Sequence, residues 1–149
     1  MEEAVSMSGR KLHIHRRTLN SGNFSNILLE NPRVLFINCH GQIKKRGDKN
    51  EASFWFEDMQ NPFVVDKFDE DRLERLVNGL DLQIEVIVLS TCHSEKLGEI
   101  LLKCSKKNAP IVIAVNSKDA LLELAAHNFN RQLILSLAKD NCEIKEAFT

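Results

Sequence analysis

Two short stretches of the sequence hold side chains able to do covalent chemistry. One is Asn38-Cys39-His40-Gly41, and the other is Ser90-Thr91-Cys92-His93-Ser94. A cysteine thiolate attacks an electrophilic carbon, while an imidazole takes the thiol proton and later returns it to the leaving group. Cys92 stands just ahead of Ser94, a residue type that opens helices, and the unpaired amides of a helix N-terminus favour a nearby anion. Glycine lets backbone approach a substrate closely, so the N–H groups of Gly41 and Cys92 form a candidate pair for a tetrahedral oxyanion. The expected roles are His40 as general base and acid, Cys92 as nucleophile, and Gly41 with Cys92 as backbone oxyanion donors.

Groups so far apart in sequence act together only if secondary structure brings them to one edge. Each stretch follows an apolar run, Val34 to Ile37 in the first case and Ile84 to Leu89 in the second. A third run, Ile111 to Val115, leads into Asn116-Ser117. The runs are rich in β-branched residues and lack polar alternation, as in central strands of a parallel sheet covered by helices on both faces. Pro32 and Pro110 punctuate the loops leading into the first and third runs. In such a sheet, functional groups gather at the carboxyl ends of the strands, where both stretches fall.

Helical spacing fills the intervals. Asp69 caps an expected helix with Leu73, Leu76, Val77 and Leu80 on one face and Gly79 near its end. Ser94 caps a second, with Leu97, Ile100, Leu101 and Cys104 on its apolar face. Ser117 opens a third, which runs through Leu121, Leu124, Ala125, Asn128, Phe129 and Gln132 towards Leu137. Phe54-Trp55-Phe56 and Phe63-Val64-Val65, around Asn61-Pro62, read as a small hairpin or edge strand pair, with Trp55 as core packing. The expected fold class is α/β, with a mostly parallel central sheet and helices on both faces.

Composition narrows the function classes. The 149 residues make one ordinary domain, and 20 Lys+Arg against 21 Asp+Glu give a net charge of −1. That balance does not favour a nucleic-acid partner. No apolar run approaches the ~18 residues of a membrane span, and the N-terminus lacks the apolar stretch of a secretory signal. Four unevenly spaced cysteines form no disulfide framework, so the expected setting is reducing, intracellular and cytoplasmic. Residues 1–33 read as a polar, partly basic arm and lead-in, densest from Arg10 to Arg17. The loop expected after His40 is also basic, with Lys44, Lys45, Arg46 and Lys49 against Asp48. It borders the expected cleft, where it could attract an acidic peptide or partner.

The two stretches carry a family resemblance. Val34-Leu35-Phe36-Ile37-Asn38-Cys39-His40-Gly41-Gln42 resembles the His–Gly motif of the CHAT domains, a branch of the caspase-like cysteine peptidases. Val88-Leu89-Ser90-Thr91-Cys92-His93-Ser94-Glu95 is similar to the family's second motif, an apolar strand leading to a small residue, Cys, any residue, and Ser or Thr. Ala125-Ala126-His127-Asn128-Phe129 and Ile144-Lys145-Glu146-Ala147-Phe148 resemble its later helix and closing Ala–Phe signature. His40 lies about 50 residues before Cys92, as in caspase signatures. The resemblance covers residues 34–149 and implies a caspase-like α/β sandwich that hydrolyses peptide bonds through a Cys92 thioester. It implies His40 as base and acid, oxyanion amides from Gly41 and Cys92, and no metal or organic cofactor. Family members carry a further strand and helix before the His–Gly strand and continue past the Ala–Phe signature, so a trimmed domain is implied.

Other readings compete. A caspase-like domain that keeps its fold, and even its Cys and His, can serve as a structural or interaction subunit of a larger assembly. The partners are then assembly proteins rather than a peptide or protein substrate. Cys39-His40 and Cys92-His93 also present zinc-ligand types, but neighbours in a strand point to opposite faces and rarely reach one ion. The glycines form neither a phosphate-cradling loop nor a dinucleotide fingerprint.

Overall fold

The computed structural model describes residues 14–58, 61, 64–103, 109–116 and 123–138. Two compact units emerge, one spanning Thr18–Leu121 and the other joining Met1–Arg17 to Leu122–Thr149. The first holds every candidate site residue.

Its architecture is mixed α/β, with two small sheets. Strands β1 (Val34–Asn38), β5 (Val86–Ser90) and β6 (Ile111–Ile113) form a parallel sheet in the order β1-β5-β6. These are the three apolar runs expected as strands. All five residues of β5 are buried, as suits a central strand closed on both faces. The other sheet is antiparallel, in the order β2 (His40–Arg46), β3 (Lys49–Glu57), β4 (Val65–Asp69). The expected mostly parallel sheet is therefore confined to β1, β5 and β6. The expected hairpin around residues 53–65 is part of β3 and β4, although Pro62 and Phe63 lie outside the described residues.

The basic segment after His40 is a strand, not the expected loop. Its charges do not prevent pairing, because β3 supplies a complete partner from His40↔Trp55 to Arg46↔Lys49. The two-residue connection uses Gly47 at φ 63°, the left-handed value that a tight hairpin with glycine first in its loop requires.

Four helices lie among the described residues. Helix α1 (Ser21–Leu29) belongs to the stretch read as a polar lead-in. Asn20 and Asn23 cap it reciprocally, each side chain accepting from the other's backbone N–H at 2.9 and 3.0 Å. Its Phe24 and Leu28, one turn apart, are fully buried. Phe24 meets the rings of Phe54, Phe56 and Phe68 edge-on, with centroids 5.4–6.3 Å apart. This aromatic cluster is part of the hydrophobic core, with Phe54, Phe56 and Phe68 supplied by the antiparallel sheet.

Helix α2 (Glu70–Asn78) starts at Asp69, whose carboxylate accepts from Arg72 N at 2.9 Å, and stops at Gly79 as expected. It buries Leu73 and Val77. Helix α3 (Glu95–Lys103) buries Leu97 and Leu101, and the expected face residue Cys104 lies outside the described residues. Helix α4 (Glu123–Leu137) belongs to the second unit. The Ser117 start expected for it, and Leu121, lie outside the described residues, as do Cys142 and the segment from Ile144 to Phe148. No described helix is long and apolar enough to cross a membrane.

Candidate active site

The parallel pairing of β1 with β5 decides which residues of the two motifs meet. The ladder runs in register from Val34↔Val86 to Asn38↔Ser90. One residue further, Cys39 Sγ lies 3.5 Å from Thr91 Oγ1, so the alignment continues past the last paired strand residues. The next residues along the two segments are His40 and Cys92. Gly41 follows, and it is packed against the Cys92 turn. A Cβ built on it would stand 2.1 Å from the Cys92 carbonyl oxygen and 2.6 Å from Thr91 Cγ2. Only a glycine fits there, because real Cβ atoms do not approach a carbonyl oxygen so closely.

The Cys92 turn is anchored on its far side by Ser94. This fully buried hydroxyl accepts from Val115 N at 3.0 Å and donates to Leu89 O at 3.4 Å. Glu95 N donates to Val115 O at 3.0 Å, which ties the start of α3 to the chain leaving β6. Ser94 thus precedes a helix as expected, with its carbonyl accepting from Gly98 N at 2.8 Å. Its side chain serves the junction between β5 and β6. The chain reverses at His93, whose φ of 56° is left-handed, a conformation histidine tolerates better than most residues. Cys92 itself is half-buried and is not held in a disulfide.

The two cysteines differ in surroundings. Cys39 packs against the hydrophobic core. Burial pushes its thiol up to about 11, while the Thr91 hydroxyl and the Trp55 backbone N–H pull the other way. A thiol so held stays protonated near neutrality and is no nucleophile. Cys39 and His40 alternate along the chain, and His40 is exposed where Cys39 faces the core.

Strand alternation adds a feature absent from the sequence reading. Phe54 and Phe56 enter the core, which puts Trp55 on the other face of β3. There Trp55 is paired with His40 on one side and Lys67 on the other. The Lys67 ammonium lies 5.0 Å from the indole centroid, a cation–π contact. The indole N–H is buried without a hydrogen-bond partner among the described residues. Trp55 is thus a cross-strand neighbour of His40 rather than core packing. The signal was in the sequence, since the period of two in Phe54-Trp55-Phe56 already separates Trp from the two Phe.

Among the described residues, no three His, Cys, Asp or Glu side chains converge as a metal site. In the segment 125–129, Ala126 is buried, while His127 and Phe129 are exposed on α4. The structure therefore brings Gly41 against the Cys92 peptide and sets His40 on the row shared with Trp55 and Lys67. No family model, no curated protein and no solved structure matches the chain.

Proposed function

We propose that the chain carries a caspase-like cysteine-peptidase site of CHAT type, on a caspase-like α/β sandwich. The observation that carries this reading is the close packing of Gly41 on the Cys92 carbonyl. It joins the His–Gly stretch to the cysteine turn at the carboxyl edge of the parallel sheet. His40 takes the Cys92 proton as the sulfur attacks the scissile carbonyl carbon, and the C=O electron pair moves onto oxygen. The amides of Gly41 and Cys92 are the donors for that oxyanion. Collapse breaks the C–N bond, the amine leaves with the proton held by His40, and a thioester remains. Water, deprotonated by His40, then hydrolyses the thioester and restores the thiol. Cys39 and Cys92, neither held in a disulfide, fit a reducing, intracellular setting.

The test is digestion of a diverse peptide mixture by the parent chain, Cys92→Ala and His40→Ala, with new termini read by mass spectrometry. The reading requires cleavage by the parent alone. It also requires covalent labelling of Cys92 by a peptidyl acyloxymethyl ketone that depends on His40. A folded parent that neither cleaves nor takes the label overturns it, leaving an interaction module on this fold.

A further inference from the structure

We infer that the free edge of β2 is a docking strand for an extended acidic peptide, the substrate class of the proposed site. The occupant's identity as substrate rests on the peptidase reading, whereas the docking itself does not. In the order β2-β3-β4, β3 takes one edge of β2, and no described strand pairs with the other. An exposed edge is a row of backbone donors and acceptors able to add another strand. β2 begins at His40, and its second residue is packed on the Cys92 carbonyl. A segment laid along this edge therefore leads straight to the candidate dyad.

Charge decides what kind of segment fits. Lys44 shares its face of β2 with His40 and Gln42, and Lys45 shares the opposite face with Gly41 and Ile43. Both lysines are exposed. A strand added at the edge turns alternate side chains to the two faces, so it meets a cation on each. Lys49, also exposed, opens β3 beside the tight turn. The acids of this hairpin are Asp48, in the turn itself, and Glu51, the cross-strand partner of Lys44, so four cations against two acids leave it net basic. Lys44 and Lys45 lie four and five residues from His40 along a strand rising ~3.3 Å per residue, so they reach ~13–17 Å from the dyad. Acidic residues four or five positions from the scissile bond are the recognised feature. The bland role for edge lysines is to repel strands of like charge, and an acidic strand reverses that sign.

The test uses the full chain carrying Cys92→Ala, so that bound peptide is not turned over. The probe is a fluorescein-labelled octapeptide of alternating glutamate and threonine, followed by anisotropy and by the fluorescence of Trp55 on the adjacent strand. Binding is expected to weaken as salt rises, and to fall about tenfold or more in Lys44→Glu/Lys45→Glu. Methylating alternate peptide amides, which removes ladder hydrogen bonds at constant charge, is expected to weaken it as well. Equal binding of a lysine–threonine octapeptide, or indifference to amide methylation, overturns the docking strand. Docking without any cleavage by the parent would leave the inference standing and sink the peptidase reading. Cleavage with no preference for acidic peptides would do the reverse.

Discussion

Replacing Gly41 by alanine probes the junction on which the site depends. The added methyl carbon would stand 2.1 Å from the Cys92 carbonyl oxygen and 2.6 Å from Thr91 Cγ2. Restoring ordinary contact requires a movement of roughly 1 Å in a backbone carbonyl. That carbonyl cannot swing freely, because its turn is pinned by the Cys39–Thr91 contact before it and the Ser94–Val115 hydrogen bond after it. Overpacking in a well-filled interior costs about 1–3 kcal/mol, and a backbone clash belongs at the upper end. A loss of about 3 kcal/mol moves the urea midpoint by roughly 1–2 M. Gly79→Ala is the control, since its new carbon would find Leu76 O no nearer than 3.6 Å. Its backbone at φ −86° already suits alanine, so its effect should stay within about 0.5 kcal/mol. Urea titration followed by Trp55 fluorescence gives both midpoints, and site-resolved alkylation of Cys92 should change in Gly41→Ala alone. Equal midpoints for the two variants would refute the packing of the His–Gly stretch on the Cys92 turn.

Other consequences follow from the same contacts. Ser94→Ala leaves the Val115 amide without its hydroxyl partner and should cost about 1–3 kcal/mol in a denaturant titration, with altered Cys92 alkylation. Phe24→Ala empties the centre of the four-ring cluster and should cost about 3–5 kcal/mol, measured the same way. The Cys39 thiol is raised from 9.0 to about 11 in the fold. The unfolded chain therefore loses that proton first, and this contribution, whole below pH 9, should be lost as pH rises to 11. Cys39→Ala should remove the decline over that window in a pH series of denaturation midpoints.

The parts of this structure legible in the sequence are those whose signals are local. β1, β5 and β6 announce themselves as continuous β-branched runs, and α2 is framed by Asp69 and Gly79. Helix α1 escaped because its buried face is two residues, Phe24 and Leu28, among Asn and Ser that read as polar lead-in. β2 escaped for a different reason. His40–Arg46 has the composition of a solvated loop, and it is a strand because β3 pairs with it residue by residue, a long-range fact that no window around β2 contains. At the site, the types His, Gly and Cys were legible, as was their position after apolar strands. The register that puts Cys39 beside Thr91, and the clash that admits only glycine at 41, required the fold. Trp55 and Lys67 join His40 only through cross-strand pairing.

The proposed action of His40 on Cys92 is checked by alkylation of each cysteine with iodoacetamide at neutral pH, read by mass spectrometry. Cys39, half-buried against the core and protonated, is the internal reference. Cys92 should react much faster than Cys39, and His40→Ala should slow Cys92 about tenfold or more, with Cys39 unchanged. A Cys92 that reacts at the same rate in parent and His40→Ala, both folded by Trp55 fluorescence, would contradict it.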